Sequence, residues 1–258
     1  MKIEAIQPDE SLALFVKSIL VFEESDESQK AILPFFADGF PGLLFQQTQH
    51  GLVVSPHNKE MPVLFLYGQT IKPVQLHIQG AYKLVVFQLY PFMLKSFFNI
   101  TAKDITDGCY DLAHVENGPA ITQQLLQNPD TKERITCLSD FLIALFEQKK
   151  EQLDLSILAA IQLIFDTNGQ MPVSELAEKT NLTERTFERR FLSEIGILPK
   201  QFSQVVQFQR SFEQLTSKDF TSLTDIVYAN GFADQSHFIR VFKAFTGQTP
   251  GKFIAGTA

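Results

Sequence analysis

The sequence predicts an α+β protein, with an N-terminal antiparallel β barrel or sandwich and trailing helices, then an all-α domain. Three observations predict it. Short apolar runs punctuated by Gly, Pro, Asn and Asp fill the chain to about residue 90. From about residue 117, apolar residues recur at three- and four-residue spacing. Beyond the break DTNGQMP at 166–172, one helical segment occurs twice.

The 258 residues suit two compact domains, expected at 1–165 and 166–258. Aromatic packing falls almost wholly to Phe, since there are 25 of them and no Trp. No apolar run is long enough to span a bilayer. The start, MKIEAIQPDESLALFV, lacks the order of a signal peptide. Cys109 and Cys137 have neither metal nor redox spacing, so the expectation is a cytoplasmic protein with no membrane partner.

In chain order, ILPFFADGFPGLLFQ, GLVVS, PVLFLYG, VQLHIQG and YKLVVFQLYP read as strands. PFMLKSFFNITAKDIT reads as a short helix capping them. TKERITCLSDFLIALFEQKKE and LDLSILAAIQLIFDT read as helices, with NPD at 128–130 as a break. Leu138, Phe141, Leu142, Leu145 and Phe146 form one stripe.

The repeat lays 173–202 over 223–253 with one extra residue in the second turn. Phe187 matches Phe238, Phe191 matches Phe242, Gly196 matches Gly247, Pro199 matches Pro250 and Phe202 matches Phe253. Each copy reads as helix, tight turn, helix. Ser174 is expected to cap the first helix, Asn181 to take the turn and Thr183 to cap the next. In the second copy Ser222 and Asp225 have capping-box spacing, and Gly231 takes the turn. Between the copies, PKQFSQVVQFQRSFEQLTS reads as one amphipathic helix spanning about 27 Å at about 1.5 Å per residue.

Opposite the Phe stripes, the first copy carries Arg185, Glu188 and Arg189, with Arg190 at the flank. The second carries Gln235, Ser236, His237 and Arg240. Arg can hold guanine bidentately, while Gln, Ser and Glu suit adenine, either base, or cytosine. A helix-turn-helix unit lays its second helix in the major groove, so these eight residues are the expected DNA contacts. Taken singly, a surface Arg such as Arg185, Arg189 or Arg240 is more often a solvated charge, Glu188 could equally pair with a neighbour and His237 could simply be exposed; the matched repeat reverses the odds in favour of DNA. The formal net charge of -7 does not oppose this, because ten acidic and ten basic residues balance from residue 166 onward.

The last ~90 residues resemble the DNA-binding domain of AraC/XylS-family bacterial transcription regulators. The resemblance is carried by Ile226, Gly231, Phe232, Asp234, Gln235, Ser236, Phe238, Arg240, Phe242, Lys243, Gly247, Thr249 and Pro250. Departures are Val227 for a usual Ala, Leu198 for a capping Ser or Thr, and Asn181 for a common Gly. The resemblance implies two reading helices on successive major-groove faces of double-stranded DNA, and contact with RNA polymerase by an activator. It also implies a sensor or dimerisation role for residues 1–165, with a small-molecule effector and a homodimer paired through the helices at 117–165.

No cofactor or metal is expected. His50, His57, His77 and His114 are scattered, without the cluster a metal-binding barrel needs. Ser55, Cys109 and Cys137 lack a nucleophile setting, so an enzyme is not expected. The alternative reading is a constitutive DNA-bound architectural protein without a ligand.

Overall fold

The structure, a computed structural model, describes residues 1–56, 58–218 and 220–256. His57, expected on the surface, lies outside them.

Among the described residues ten strands form two open antiparallel sheets, so the predicted barrel or sandwich is a sandwich. The first sheet contains β1 (Lys2–Ile6), β2 (Val16–Glu24), β4 (Gly42–Thr48), β7 (Leu64–Tyr67), β9 (Tyr82–Leu89) and β10 (Cys109–Asp111). Its strands lie in the order β1-β2-β9-β4-β7-β10. The second sheet is β3-β8-β5-β6, from β3 (Lys30–Phe35), β5 (Leu52–Ser55), β6 (Lys59–Glu60) and β8 (Val74–Gln79).

Alternation along the strands fills two cores. Leu44 lies beside Val86 and Phe65 in the ladder, and all three side chains enter the space between the sheets. One residue earlier, Leu43 lies beside Phe87 and Leu66, and these point to the opposite face. That face is covered by α1 (Met93–Phe98), α2 (Gly118–Gln127) and α3 (Thr131–Lys149). Leu138, Leu142 and Leu145 of the predicted stripe are buried there, so the stripe serves the fold of its own chain. Arg134 joins the layers: it is 1% exposed, donates to the Leu125 and Asn128 carbonyls and to Gln47, and stands over the Phe45 ring.

The helical part runs α4 (Leu155–Asp166), α5 (Val173–Lys179), α6 (Glu184–Ile195), α7 (Pro199–Ser217), α8 (Leu223–Ala229), α9 (Gln235–Thr246) and α10 (Pro250–Gly256). Although α4 precedes the break that suggested a boundary, it packs on α5, α6 and α7. The core of the first helical unit is continuous with the helix-covered core of the β region. Phe187, Phe191, Ile195 and Phe202 belong to the same buried cluster as Phe45 and Phe87. The second unit has its own core, Phe208, Leu215, Ile226, Phe238 and Phe242, into which only Ala37 of the β region is fully buried.

Candidate nucleic-acid interface

Both candidate reading helices are held by caps and by a Phe-lined underside. Thr183 accepts from the Thr186 amide to start α6, and Asn181 takes the left-handed turn at φ 57°. Asp234 starts α9 and Gly231, at φ 72°, makes its turn. Ser222 caps α8 as its spacing predicts. Ser174 does not cap α5: the helix starts from Pro172, which places Ser174 inside its first turn. Leu198 leaves α7 without a side-chain cap. Beneath α6, Phe191 meets Phe202 at 5.7 Å, edge to face; beneath α9, Phe242 meets Phe208 at 5.5 Å in the same manner.

The opposite faces are open. Arg185, Arg189, Gln235, Ser236 and Arg240 are exposed, and Glu188 is half-buried. Among the described residues no carboxylate pairs with Arg185, Arg189 or Arg240. In the repeat register Arg189 and Arg240 are equivalent positions, so each helix offers one unpaired guanidinium at the same place.

Two of the eight candidates are turned elsewhere. Arg190 falls at the repeat position of Val241, a core residue. Its guanidinium meets Asp154 Oδ2 at 2.8 Å from Nε and 2.5 Å from Nη2. The other oxygen of Asp154 accepts from the amides of Ser156 and Ile157, so one carboxylate caps α4 and holds α6. His237 folds back onto its own turn, its Nδ1 accepting from the Ala233 amide and its ring edge-on to Phe232. The repeat register carried the Arg190 signal; nothing in the sequence pointed to Asp154.

The β region touches both units at the same repeat position. The left-handed glycines that end α6 and α9 are Gly196 and Gly247. A Cβ on Gly196 would lie 2.6 Å from the Ala102 carbonyl carbon; on Gly247 it would meet only Pro73, at 3.6 Å. Beside Gly196, Lys95 binds Glu194 at 2.5 Å and Ser193 at 2.7 Å. The first unit is therefore gripped and the second touched.

A short loop, residues 36–41, reaches the connecting helix α7. The Ala37 carbonyl accepts from Gln209, Phe36 packs on Phe212, and Phe40 stacks on Phe165 at 5.5 Å. Asp38 in this loop accepts from the Phe40 amide and from Gln88. It keeps a little surface but is packed round by protein, and burial pushes its carboxyl up to about 6. Asp38 lines a cleft of about 470 Å³ between the β region and α4 and α7, with Lys17, Phe40, Tyr90 and Arg210. The space between the two sheets is about 40 Å³, room for about one water. Burial pushes Cys109, beside that space, up to about 11, so it remains a thiol at neutral pH.

Residues 176–256 match a family model described as a helix-turn-helix domain, and residues 4–111 match a domain of unknown function (DUF6597). An uncharacterized HTH-type transcriptional regulator of Staphylococcus aureus is 32% identical over 83 residues, 32% of this chain and 11% of the relative. The HTH-type transcriptional activator RhaS of Yersinia pestis is 34% identical over 76 residues, 30% of this chain and 28% of RhaS. The chain thus spans about a tenth and about a quarter of those proteins. Among solved structures, ToxT from Vibrio cholerae is 12% identical at a TM-score of 0.49, covering 99% of this chain and 98% of ToxT. The DNA-binding domain of AdpA, in complex with a target DNA, is 23% identical at a TM-score of 0.37, covering 39% of this chain and 90% of that domain. No helix among the described residues is long and apolar enough to cross a membrane. With two helix-turn-helix units on one connecting helix, and a helix-turn-helix family model matching over that same region, the C-terminal part of the chain is a helix-turn-helix domain of the AraC type.

Proposed function

We propose that the protein is a sequence-specific DNA-binding transcription regulator that reads two successive major-groove segments with α6 and α9. The observation that carries this reading is the equivalence of Arg189 and Arg240, both exposed and unpaired above a buried Phe stripe. Arg185, Glu188, Gln235 and Ser236 extend the two surfaces, and Arg190 and His237 stand at their flanks. The connecting helix α7 has 19 residues, about 28 Å at about 1.5 Å each, against about 34 Å for one DNA turn. Selection of bound fragments from random duplexes, followed by gel shift of Arg189→Ala and Arg240→Ala, tests it. Unchanged affinity of both variants for the selected duplex removes the reading.

The same proposal has a homodimer, RNA polymerase and a small-molecule effector as partners, in the cytoplasm and without catalysis. The effector is assigned to the cleft at Asp38 rather than the inter-sheet space, on volume: small-molecule sites occupy ~300–1,000 Å³. The full chain is the material for a thermal-shift screen, because the first helical unit shares its core with the β region.

A further inference from the structure

The same repeat positions on α6 and α9 have different surroundings. On α9, Ser236, Ile239, Arg240, Lys243 and Ala244 line one open surface. The matching residues of α6 are Arg185, Glu188, Arg189, Leu192 and Ser193. There, Arg189, Leu192 and Ser193 form one wall of a groove of about 340 Å³. The β region supplies the other wall: Lys95 of α1, the segment Asn99–Thr101, and Lys103 of the 3-10 turn Ala102–Ile105.

The cations have changed hands. The position of Lys243 on α9 is Leu192 on α6, so α6 lacks a cation in its C-terminal half beyond Arg190, which Asp154 holds. The carbonyl end of a helix repels anions, and a phosphate lying there needs a neighbouring positive charge. On α9 Lys243 is in place to supply it. Besides Arg189, the cations lining the groove come from another part of the chain. Lys95 is held by Glu194 and neutralises it. Lys103 is exposed, and among the described residues no carboxylate pairs with it; its neighbour Asp104 does not line the groove. Asn99, Thr101 and Ser193 add polar groups of the kind that meet phosphate oxygens. Gly196, closed on Ala102, fixes the two walls against each other.

We propose that this groove seats a backbone phosphate of the duplex read by α6, with Lys103 and Arg189 on either side. The β region is then part of the DNA interface and supplies the cation that α6 has lost. The inference rests on the DNA reading proposed above and adds a contact to it.

The test uses the full chain and two duplexes, one selected from a random pool and one of random sequence, titrated by fluorescence anisotropy between 50 and 200 mM salt. Lys103→Gln is expected to weaken binding by the same factor on both duplexes, and to lower the slope of log K against log salt by about 0.9, one phosphate. Lys103→Arg is expected to restore the slope. Lys2→Gln, on the opposite edge strand of the first sheet, is expected to change neither quantity. An unchanged slope in Lys103→Gln, tighter binding, or an equal loss in Lys2→Gln overturns the inference. The DNA reading fails separately: the unaltered chain would then not distinguish the duplexes, and Arg240→Ala would bind as it does.

Discussion

Gly196 ends the first reading helix with its α-carbon against the backbone of Ala102, while Gly247, its counterpart on the second, faces only the ring of Pro73. Both have positive φ, 89° and 79°. Gly247→Ala therefore meets backbone strain alone, about 1–2 kcal/mol. Gly196→Ala meets that strain plus a clash with backbone that cannot turn aside, and its thermal midpoint is expected to fall further. Equal midpoints for the two variants would show that the β region does not grip the first unit.

Asp154 serves two helices with two oxygens, and substitutions separate the roles. Asparagine still caps a helix, so Asp154→Asn removes only the Arg190 pair, which is partly exposed and worth at most about 1 kcal/mol. Asp154→Ala also removes the cap and is expected to cost about 1 kcal/mol more in denaturant unfolding. If both variants cost the same, the capping role is wrong.

Asp38 sets a pH dependence with a definite sign. Burial raises its folded pKa to about 6 from 3.8, so the folded state holds the proton more tightly than the unfolded chain. Its contribution to stability is greatest at acid pH, declines as pH rises from about 4 through about 6, and then stays at its low value, a span of up to about 3 kcal/mol. Asp38→Asn keeps an acceptor for the Phe40 amide and removes the charge. The variant is expected to be at least as stable at pH 7 and to lose this slope. A midpoint-against-pH curve parallel to that of the unaltered chain contradicts it.

The separate core of the second helical unit predicts that it unfolds apart from the rest. Phe242→Ala leaves a cavity in the separate core of the second unit, at about 3–5 kcal/mol. Amide exchange is expected to quicken across α8, α9 and α10 and to stay slow in α6 and β9. Phe191→Ala, of similar cost, opens the shared core, and β9 is expected to quicken with α6. Fast exchange in β9 of Phe242→Ala would merge the units.

Much of this architecture was legible because each element carries its own local signal. Thr183, Asn181, Ser222 and Gly231 do locally what their residue types favour, and the Phe stripes fall at helical spacing. The reading faces followed from the repeat. The strands read from the sequence leave out β1, β2, β6 and β10: β1 and β6 are almost wholly exposed and β10 is three half-buried residues, so none of these three shows the apolar run that marks a buried strand, whereas β2 does turn Val16, Ile19 and Val21 inward. Ser174 missed its cap because Pro172, with its fixed φ, already starts the helix two residues earlier. The Asp154–Arg190 pair and the Gly196–Ala102 contact join residues 36 and 94 positions apart, and no local pattern encodes such meetings.

The loop at residues 36–41 leans on α4 through Phe40, on α7 through Ala37 and on α10 through Phe36. It therefore fastens the sandwich to three helices at once, and in the proposed DNA reading its side chains bear on the placement of α6 and α9 without approaching a base pair.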